Sequence, residues 1–324
     1  MAAQLKFQEI PLTAVDLKDH TFVIFPLQNL DRLMASLKEV GLLSPPWVRR
    51  LPGGERWQAV TGGKRLAAVA ALGWERLPAI TLPAATPDSR CLLINLYDNA
   101  CSRGFNLREQ AHLASRLLNY WDRRTVVADF LPLLGLPSSP HLLEKLMAVS
   151  SLEAPLQAMA SQGRLSLEAG ALLARWDPRD RTALLPFLAE FPLTHSKQKE
   201  FLEGLDLLAW REAANPGDIL GRPEFQKILG DKQDTAQERA AALRSLLQGC
   251  LSPRLMAAGQ AFARALQRLG LSRHPRLNLK PPPAFEGPDF HLEIKFKDAP
   301  ELDKLLKELA RLVPKEEFTE LTNI

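Results

Sequence analysis

Two adjacent glycines followed by two basic residues form the segment of this chain that is best suited to bind an anion. Residues 59–66 read Ala-Val-Thr-Gly-Gly-Lys-Arg-Leu, in which a strand-like run passes directly into a helical pattern. A helix start leaves backbone N–H groups without intrahelical partners, and together with the helix dipole they favour a bound phosphate. Gly62 and Gly63 allow close approach, and Lys64 and Arg65 add positive charge. We therefore predict a phosphate-binding loop here.

The same four residues have a simpler explanation. They differ from a Walker A loop in spacing, and the Ser or Thr that ends such a loop is missing. A tight turn between a strand and a helix, with two solvated cations, has the same composition. The segment by itself leaves both alternatives open.

The elements around this loop are predicted to form a small α/β domain. β-Branched and aromatic residues predict five short strands, at 7–10, 21–25, 46–51, 56–60 and 77–82. Apolar residues at helical spacing predict a helix over 30–40 and a second helix that begins at the two glycines and ends before Gly73. Thr86, as a cap before Pro87, predicts the start of a third helix.

From Asn106 onward the sequence is predicted to be almost entirely helical. Asn106 and Glu109 form a capping-box pattern for a helix through Trp121. Further helices are predicted at 125–134, 140–149, 152–162, 167–175, 180–190, 195–213 and, as a pair, within 236–270. Residues 214–235 are interpreted as a connector, and Lys280-Pro-Pro-Pro283 as an extended spacer. One strand at 290–296 and an amphipathic helix through Leu309 complete the prediction.

Ordered motifs in the first 125 residues resemble the ParB/sulfiredoxin-type N-terminal domain. They comprise Ser36–Val48, Gly62–Gly73, Leu77–Ala79, Leu96–Asn106 and Glu109–Ala111. The resemblance implies an α+β protein with a ParB-like α/β N-terminal domain, an all-α helix-turn-helix-like middle and an α/β C-terminal segment. The domains we predict on this basis are 1–105, 106–213, 214–285 and 286–324.

The same resemblance implies that the chain binds a nucleoside triphosphate, CTP with Mg²⁺ in this family, which also raises the prospect of CTP hydrolysis. The nucleotide-binding residues that it indicates are Gly62, Gly63, Lys64, Arg65, Asn99 and Arg103. The metal ligands that it indicates are Asp98 and Asn99. Their oxygen atoms suit magnesium, although an Asp-Asn pair near a helix end is also an ordinary capping element. No catalytic residue is assigned.

The sequence departs from the family pattern at several positions. The family arginine falls on Ser102 by strict spacing, with Arg103 one position later, and Gly63 replaces an acidic residue of the loop. These changes bear on cytosine selection and hydrolysis more than on the fold. No cysteine lies in residues 53–73, so the redox chemistry of sulfiredoxin is not expected.

A helix-turn-helix is predicted at residues 125–149. Its recognition helix would present Ser138, Ser139, His141 and Lys145 to DNA. However, Pro132 lies inside the first helix, and Lys145 is the only Lys or Arg in 138–149. Because phosphate neutralisation dominates DNA affinity, a helix bundle that docks proteins remains the alternative.

A second candidate DNA surface is the acid-free stretch 239–285, which has a net charge of +8. Its exposed arginines are predicted to contact phosphates and include Arg264, Arg268, Arg273 and Arg276. The alternative is that these arginines pair with the acidic tail, residues 286–324, whose net charge is −4.

Taken together, these features predict a ParB-like, DNA-associated protein of chromosome or plasmid partition. We expect a cytoplasmic, nucleoid-associated homodimer with DNA and a partition-ATPase-like protein as partners. No membrane association is expected, because the chain has neither a signal-peptide-like stretch nor a run of about 18 apolar residues. The alternatives are an enzyme on the same fold, such as a nuclease or small-molecule kinase, and a nucleotide-free adaptor.

Overall fold

A computed structural model describes residues 6–24, 30–231, 233–287 and 289–322. The chain divides into two compact units, Met1–Trp176 and Asp177–Ile324. The mixed α+β class is confirmed, with a small sheet in the first unit and mostly helices elsewhere. Our four-part domain division stays a prediction.

The first unit contains a five-stranded mixed sheet. Its strands are β1 Lys6–Pro11, β2 Val15–Asp16, β3 Trp47–Arg50, β4 Trp57–Ala59 and β5 Arg76–Leu82. Their order is β1-β5-β3-β4-β2, in which β1–β5 and β3–β4 are antiparallel, and β3–β5 and β2–β4 are parallel. Buried Val48, Leu77 and Ala79 pack with Leu66 and Val69 of the following helix, which places one core against one face of the sheet.

The described residues of the first unit also form eight α-helices, besides short 3-10 and π-helical segments. They are α1 Asp31–Val40, α2 Gly63–Ala71, α3 Asp88–Ala100, α4 Leu107–Leu117, α5 Arg123–Thr125, α6 Pro140–Ser150, α7 Ala154–Ser161 and α8 Leu167–Leu173. The predicted capping box of α4 is confirmed, since Asn106 and Glu109 each accept from the other's backbone N–H.

Three sequence predictions in this unit are wrong in detail. Residues 21–24 form a turn and irregular chain instead of a strand, and Phe25 lies outside the described residues. Their apolar pattern reflects burial of Phe22 and Ile24 and not strand pairing. Helix α3 begins one residue late, with Pro87 and not Thr86 as its cap. The predicted helix 125–134 forms with other helix types: Thr125 ends α5, residues 126–130 form a π-helix and residues 132–134 a 3-10 helix. Pro132, which has no N–H to donate, stands at the first position of the 3-10 helix.

The second unit is helical with one hairpin. Its elements are α9 Pro178–Glu190, α10 His195–Arg211, α11 Pro216–Leu220, α12 Pro223–Gly230, α13 Ala236–Leu251, α14 Pro253–Arg268, β6 Leu277–Lys280, β7 His291–Ile294, α15 Ala299–Leu312 and α16 Glu316–Thr322. The antiparallel pair β6–β7 packs with α14 and α15 around its own core, which includes Phe262, Leu277 and Leu309.

Two predictions change in the second unit. The expected connector 214–235 contains α11 and α12, each of which begins with proline at its first position, where no intrahelical N–H is required. The expected spacer 280–283 is not a free linker, because Lys280 pairs with His291 in the hairpin. Among the described residues, no helix is long and apolar enough to cross a membrane.

Candidate functional site

The predicted phosphate loop adopts a backbone conformation that requires glycine. After β4, the amides of Val60 and Thr61 both donate to the carbonyl of Trp47, at 2.8 and 3.1 Å. Gly62 then has a φ of +74° and is the N-cap of α2. A Cβ on Gly62 would lie 2.8 Å from Cβ of Pro46. The loop therefore enters α2 in a backbone conformation that only glycine adopts without strain.

Helix α3 is held against this loop by a buried asparagine. Asn95 is 5% exposed, and its Nδ2 donates to the carbonyls of Phe22, at 3.0 Å, and Val60, at 2.5 Å. One turn later, Nδ2 of Asn99 donates to the carbonyl of Asn95 at 2.8 Å. The amide nitrogen of Asn99 is thus engaged within the helix, which leaves its amide oxygen as the possible ligand atom.

One cleft brings the two predicted parts of the site together. It has a volume of about 100 Å³ and contains both the Gly62–Arg65 loop and the Asp98–Asn99 pair. The remaining lining residues are Phe22, Val23, Ile24, Ala59, Val60, Thr61 and Asn95. The roles predicted for the Gly62–Arg65 loop and the Asp98–Asn99 pair stay predictions; the structure shows only that they line the same cleft.

The charges in the cleft are arranged around Arg65. Its Nη1 donates to the carbonyl of Ser44 at 2.5 Å, and its Nη2 lies 3.6 Å from Oδ2 of Asp98. Lys64 lies in the same lining, so cations outnumber anions there. This balance favours an anionic ligand.

The cleft offers few oxygen ligands for a divalent cation. Among the described residues, no group of three His, Cys, Asp or Glu side chains could enclose a metal ion. The cleft offers one carboxylate, from Asp98, and one amide, from Asn99. Magnesium is commonly held by one or two carboxylates together with substrate phosphates and water, so this sparse set fits a metal that arrives with a phosphate.

Arg103, which was predicted to contact nucleotide, does not line the cleft. Its guanidinium forms a two-point contact with Glu109, at 2.8 and 3.1 Å. The Glu109 carboxylate also accepts from the backbone of Asn106 in the capping box. Because Glu109 is almost fully buried, its charge needs this cation, and Arg103 therefore stabilises the start of α4.

Sequence inspection missed a polar network behind the cleft. The guanidinium groups of Arg49 and Arg116 both lie over the ring of Phe22, at 5.6 and 5.5 Å. Arg49 also pairs with Asp88 at the start of α3, at 2.6 Å.

The pKa of Asp19 in the same network is lowered. Burial opposes this shift, but hydrogen bonds from Thr21 and Gln58 and the charge of Arg49 outweigh it. No short motif marks this network, since its members are far apart in sequence.

The predicted recognition helix corresponds to α6. Ser139 caps it and accepts from the amide of Leu142 at 3.4 Å, while Ser138 is exposed before it. His141 is exposed and 3.9 Å from Glu144. Lys145, however, is bound to the carboxylate of Glu168 at 2.6 Å, so its charge is neutralised within the same unit.

The basic stretch is only partly paired with the acidic tail, which was our alternative prediction. Arg268 lies 3.5 Å from Glu320, and Arg276 lies 3.3 Å from Glu301. Arg264 is exposed and bonds only to the carbonyl of its own helical turn at Gln260. Arg273 is also exposed. Of the four predicted phosphate contacts, Arg264 and Arg273 have no acid at bonding distance among the described residues.

Comparison with known proteins finds a family similar to the amino-terminal part of the chain. The family model of the ParB N-terminal domain matches residues 2–100. The nucleoid occlusion protein of Bacillus licheniformis is 28% identical over 120 residues, which cover 36% of this chain and 41% of that protein. A probable chromosome-partitioning protein ParB of Chlamydia pneumoniae is 29% identical over 128 residues, with 35% and 44% covered.

One similar solved structure is the crystal structure of C-terminally truncated ParB from Caulobacter crescentus complexed to the centromeric parS site. The two chains are 18% identical with a TM-score of 0.37, and the match covers 60% of this chain and 98% of that chain. The chain spans less than half the length of the two curated relatives described above. The predicted resemblance is confirmed by the family match. Residues 2–100 of this chain are therefore similar to the ParB N-terminal domain family.

Proposed function

We propose that this chain is a ParB-like protein that binds a nucleoside triphosphate and associates with DNA in chromosome or plasmid partition or nucleoid occlusion. One observation carries the proposal: the Gly62–Arg65 loop and the Asp98–Asn99 pair line the same cleft. The ligand that the family resemblance implies is CTP with Mg²⁺. A homodimer and a partition-ATPase-like partner belong to the same proposal.

Within the cleft, each group has a distinct task. The N–H groups at the start of α2 and the ammonium of Lys64 would bind phosphate oxygens. Asp98 and Asn99 would hold the metal, which neutralises phosphate charge when bound. The cleft volume of about 100 Å³ is below the roughly 300 Å³ at which small-molecule pockets begin, so the cleft would suit the phosphates better than a whole nucleotide.

Exposed residues of both units are the candidates for DNA contact. In the first unit, Ser138 and His141 are exposed at the N-terminal end of α6. In the second unit, Arg264 and Arg273 are exposed. Lys145, Arg268 and Arg276, whose charges are already paired, would have to exchange a carboxylate for a phosphate.

A nucleotide panel tests this function. Thermal unfolding with CTP, ATP, GTP or UTP plus Mg²⁺, with and without duplex DNA, should show stabilisation by one triphosphate. In calorimetry, Lys64→Ala and Arg65→Ala should each lose about tenfold or more in affinity, since hydrogen bonds to charged groups contribute about 1.5–3 kcal/mol. Lys38→Ala, an exposed lysine on α1, is the control and should bind as the wild type does. Unchanged affinity in both loop variants would refute the assignment.

A nucleotide-free adaptor is the second candidate, and the ion pairs favour it. Lys145 bound to Glu168, together with Arg268 and Arg276 bound to acids, leaves less free positive charge than a DNA-binding surface usually has. The adaptor predicts no thermal shift with any triphosphate.

A further inference from the structure

A second pocket of the first unit lies at the other end of β4 from the cleft. The cleft is lined by Ala59, where β4 ends, whereas this pocket is lined by Trp57, where β4 begins. The described residues that line the two cavities are different. The second pocket has a volume of about 350 Å³, which lies within the range of about 300–1,000 Å³ of small-molecule sites. It is therefore a separate candidate site.

The register of the sheet brings the lining side chains to one face. Lys6 pairs with Thr81 across β1 and β5, and Arg50 pairs with Trp57 across β3 and β4. Val48, two residues before Arg50, pairs with Thr81. Because paired residues and residues two apart in a strand share a face, all of these side chains lie on the face of Val48. Val48 is in the core between sheet and helices, so the pocket lies at the margin of that core.

The charges of the pocket are positive. Lys6 and Arg50 line it, and none of the described lining residues is an acid. No acid in the described part of the chain lies at ion-pair distance from either cation. Nε of Arg50 donates to the carbonyl of Gly54 at 2.7 Å, which holds the guanidinium against the β3–β4 turn. Its terminal nitrogens remain as donors, so the two cations favour an anionic ligand.

Trp57 gives the pocket an aromatic wall beside one of these cations. The guanidinium of Arg50 lies 5.9 Å from the centre of the Trp57 ring. Thr81 and Leu82, which are 6% and 2% exposed, form the floor. Gln8 also lines the pocket, and its exposed amide can both donate and accept hydrogen bonds. An aromatic wall, an amide and two cations together fit a planar, hydrogen-bonding ring that carries an anion.

We propose that this pocket binds one nucleotide unit, with the base against Trp57 and the phosphate between Lys6 and Arg50. Sites for unpaired nucleic acid combine positive charge with aromatic side chains on which bases stack. A base inside a duplex is already stacked on its neighbours, so the ligand is a free nucleotide or part of a single strand. Carboxylates of an acidic peptide would also meet the two cations, but they offer no aromatic face to Trp57.

Two ligands and four variants test the proposal. Fluorescence anisotropy with a labelled oligothymidylate measures single-strand binding, and calorimetry with thymidine monophosphate measures binding of the free nucleotide. Trp57→Leu should lower affinity about fivefold to a hundredfold, the range for removal of a stacking ring. Trp57→Phe keeps a ring and should retain most of the affinity. Arg50→Gln and Lys6→Gln should each lower it about tenfold, as for loss of a hydrogen bond to a charged group.

A matched control removes an equal charge from the same β3–β4 hairpin. Arg56 is exposed, pairs with Asp16 at 2.5 Å and does not line the pocket. Arg56→Gln should therefore bind both ligands as wild type does. Melting curves establish that each variant is folded. If Trp57→Leu does not fold, Arg50→Gln still decides, because Arg50 is exposed and its loss leaves the core intact.

The two ligands distinguish the sources of the nucleotide unit. Losses with both ligands assign a free nucleotide, and losses with oligothymidylate alone assign a single strand; each supports the proposal. It is overturned if wild type binds neither ligand, if Arg50→Gln and Trp57→Leu keep wild-type affinity, or if Arg56→Gln loses as much. A glutamate-rich peptide that binds where neither nucleotide ligand does also overturns it. The Gly62–Arg65 loop does not line this pocket, so these outcomes are independent of triphosphate binding in the cleft.

Discussion

Gly62 determines whether the loop can enter α2 at the cleft. Its φ of +74° is unfavourable for any residue with a Cβ, and a Cβ there would also lie 2.8 Å from Pro46. Gly41, at the end of α1, has a similar φ of +71°, but a Cβ would meet nothing within 4 Å. A substitution at Gly41 therefore tests backbone strain alone, whereas one at Gly62 tests backbone strain together with the steric contact with Pro46.

Substitution of these glycines by alanine should have unequal effects. Gly41→Ala should lower the free energy of unfolding by about 1 kcal/mol, the cost of placing alanine in the left-handed region. Gly62→Ala should add roughly 1–3 kcal/mol of overpacking and also weaken triphosphate binding. Urea denaturation and calorimetry measure the two effects. Equal stability losses would show that Pro46 yields at no cost.

Among the elements, α4 illustrates how a local motif and a distant contact combine. Its capping box satisfies two backbone N–H groups, and the same Glu109 carboxylate holds Arg103. Further along the helix, Arg116 lies over Phe22 of the cleft lining. Helix α4 is therefore fixed at its start by its own sequence and in its body by the segment that lines the cleft.

Removal of the cap should destabilise the first unit measurably. Asn106→Ala should cost about 1 kcal/mol, as N-cap replacements usually do. Asn119→Ala, on the exposed turn after α4, is the control and should stay within about 0.5 kcal/mol of wild type. Urea unfolding of the two variants gives the comparison. Similar losses in both would mean that the capping box does not limit the stability of the unit.

At the scale of the whole molecule, each unit contains a hydrophobic core cluster of its own. In the first unit, Val48, Leu66 and Leu77 belong to a core between the sheet and helices. In the second, Phe262 and Leu309 belong to a core between the hairpin and its helices. Units with their own cores can in principle fold alone.

A fragment of residues 1–176 should therefore fold and retain the cleft. It should melt cooperatively by circular dichroism and bind the same triphosphate as the full chain. A fragment of residues 1–105, our predicted first domain, lacks Arg116 and the rest of α4, and should be less stable. If the two fragments melt alike, the boundary at 105 is the better one. If 1–176 is unfolded, the units depend on each other.

Local chemistry made much of this protein predictable from sequence. Four of the five predicted N-terminal strands form, and so do the two-glycine helix start and the capping box of Asn106. Each depends on residues within a few positions of one another: alternation in a strand, backbone freedom at glycine, or a side chain that reaches its own helix start. The strand predicted at 21–25 failed for residues 21–24 because burial alone produced its apolar pattern.

Tertiary structure decided which charges are available to a ligand. The sequence predicted binding roles for all three of Lys145, Arg103 and Arg65, the first towards DNA and the other two towards a nucleotide. The fold binds Lys145 to Glu168 and Arg103 to Glu109, whereas it brings Arg65 to Asp98 inside the cleft. The pairs Lys145–Glu168 and Arg65–Asp98 join residues far apart in the chain. Because a long side chain takes its charge partner from whatever the fold brings within about 4 Å, pairing of this kind depends on packing and not on local sequence.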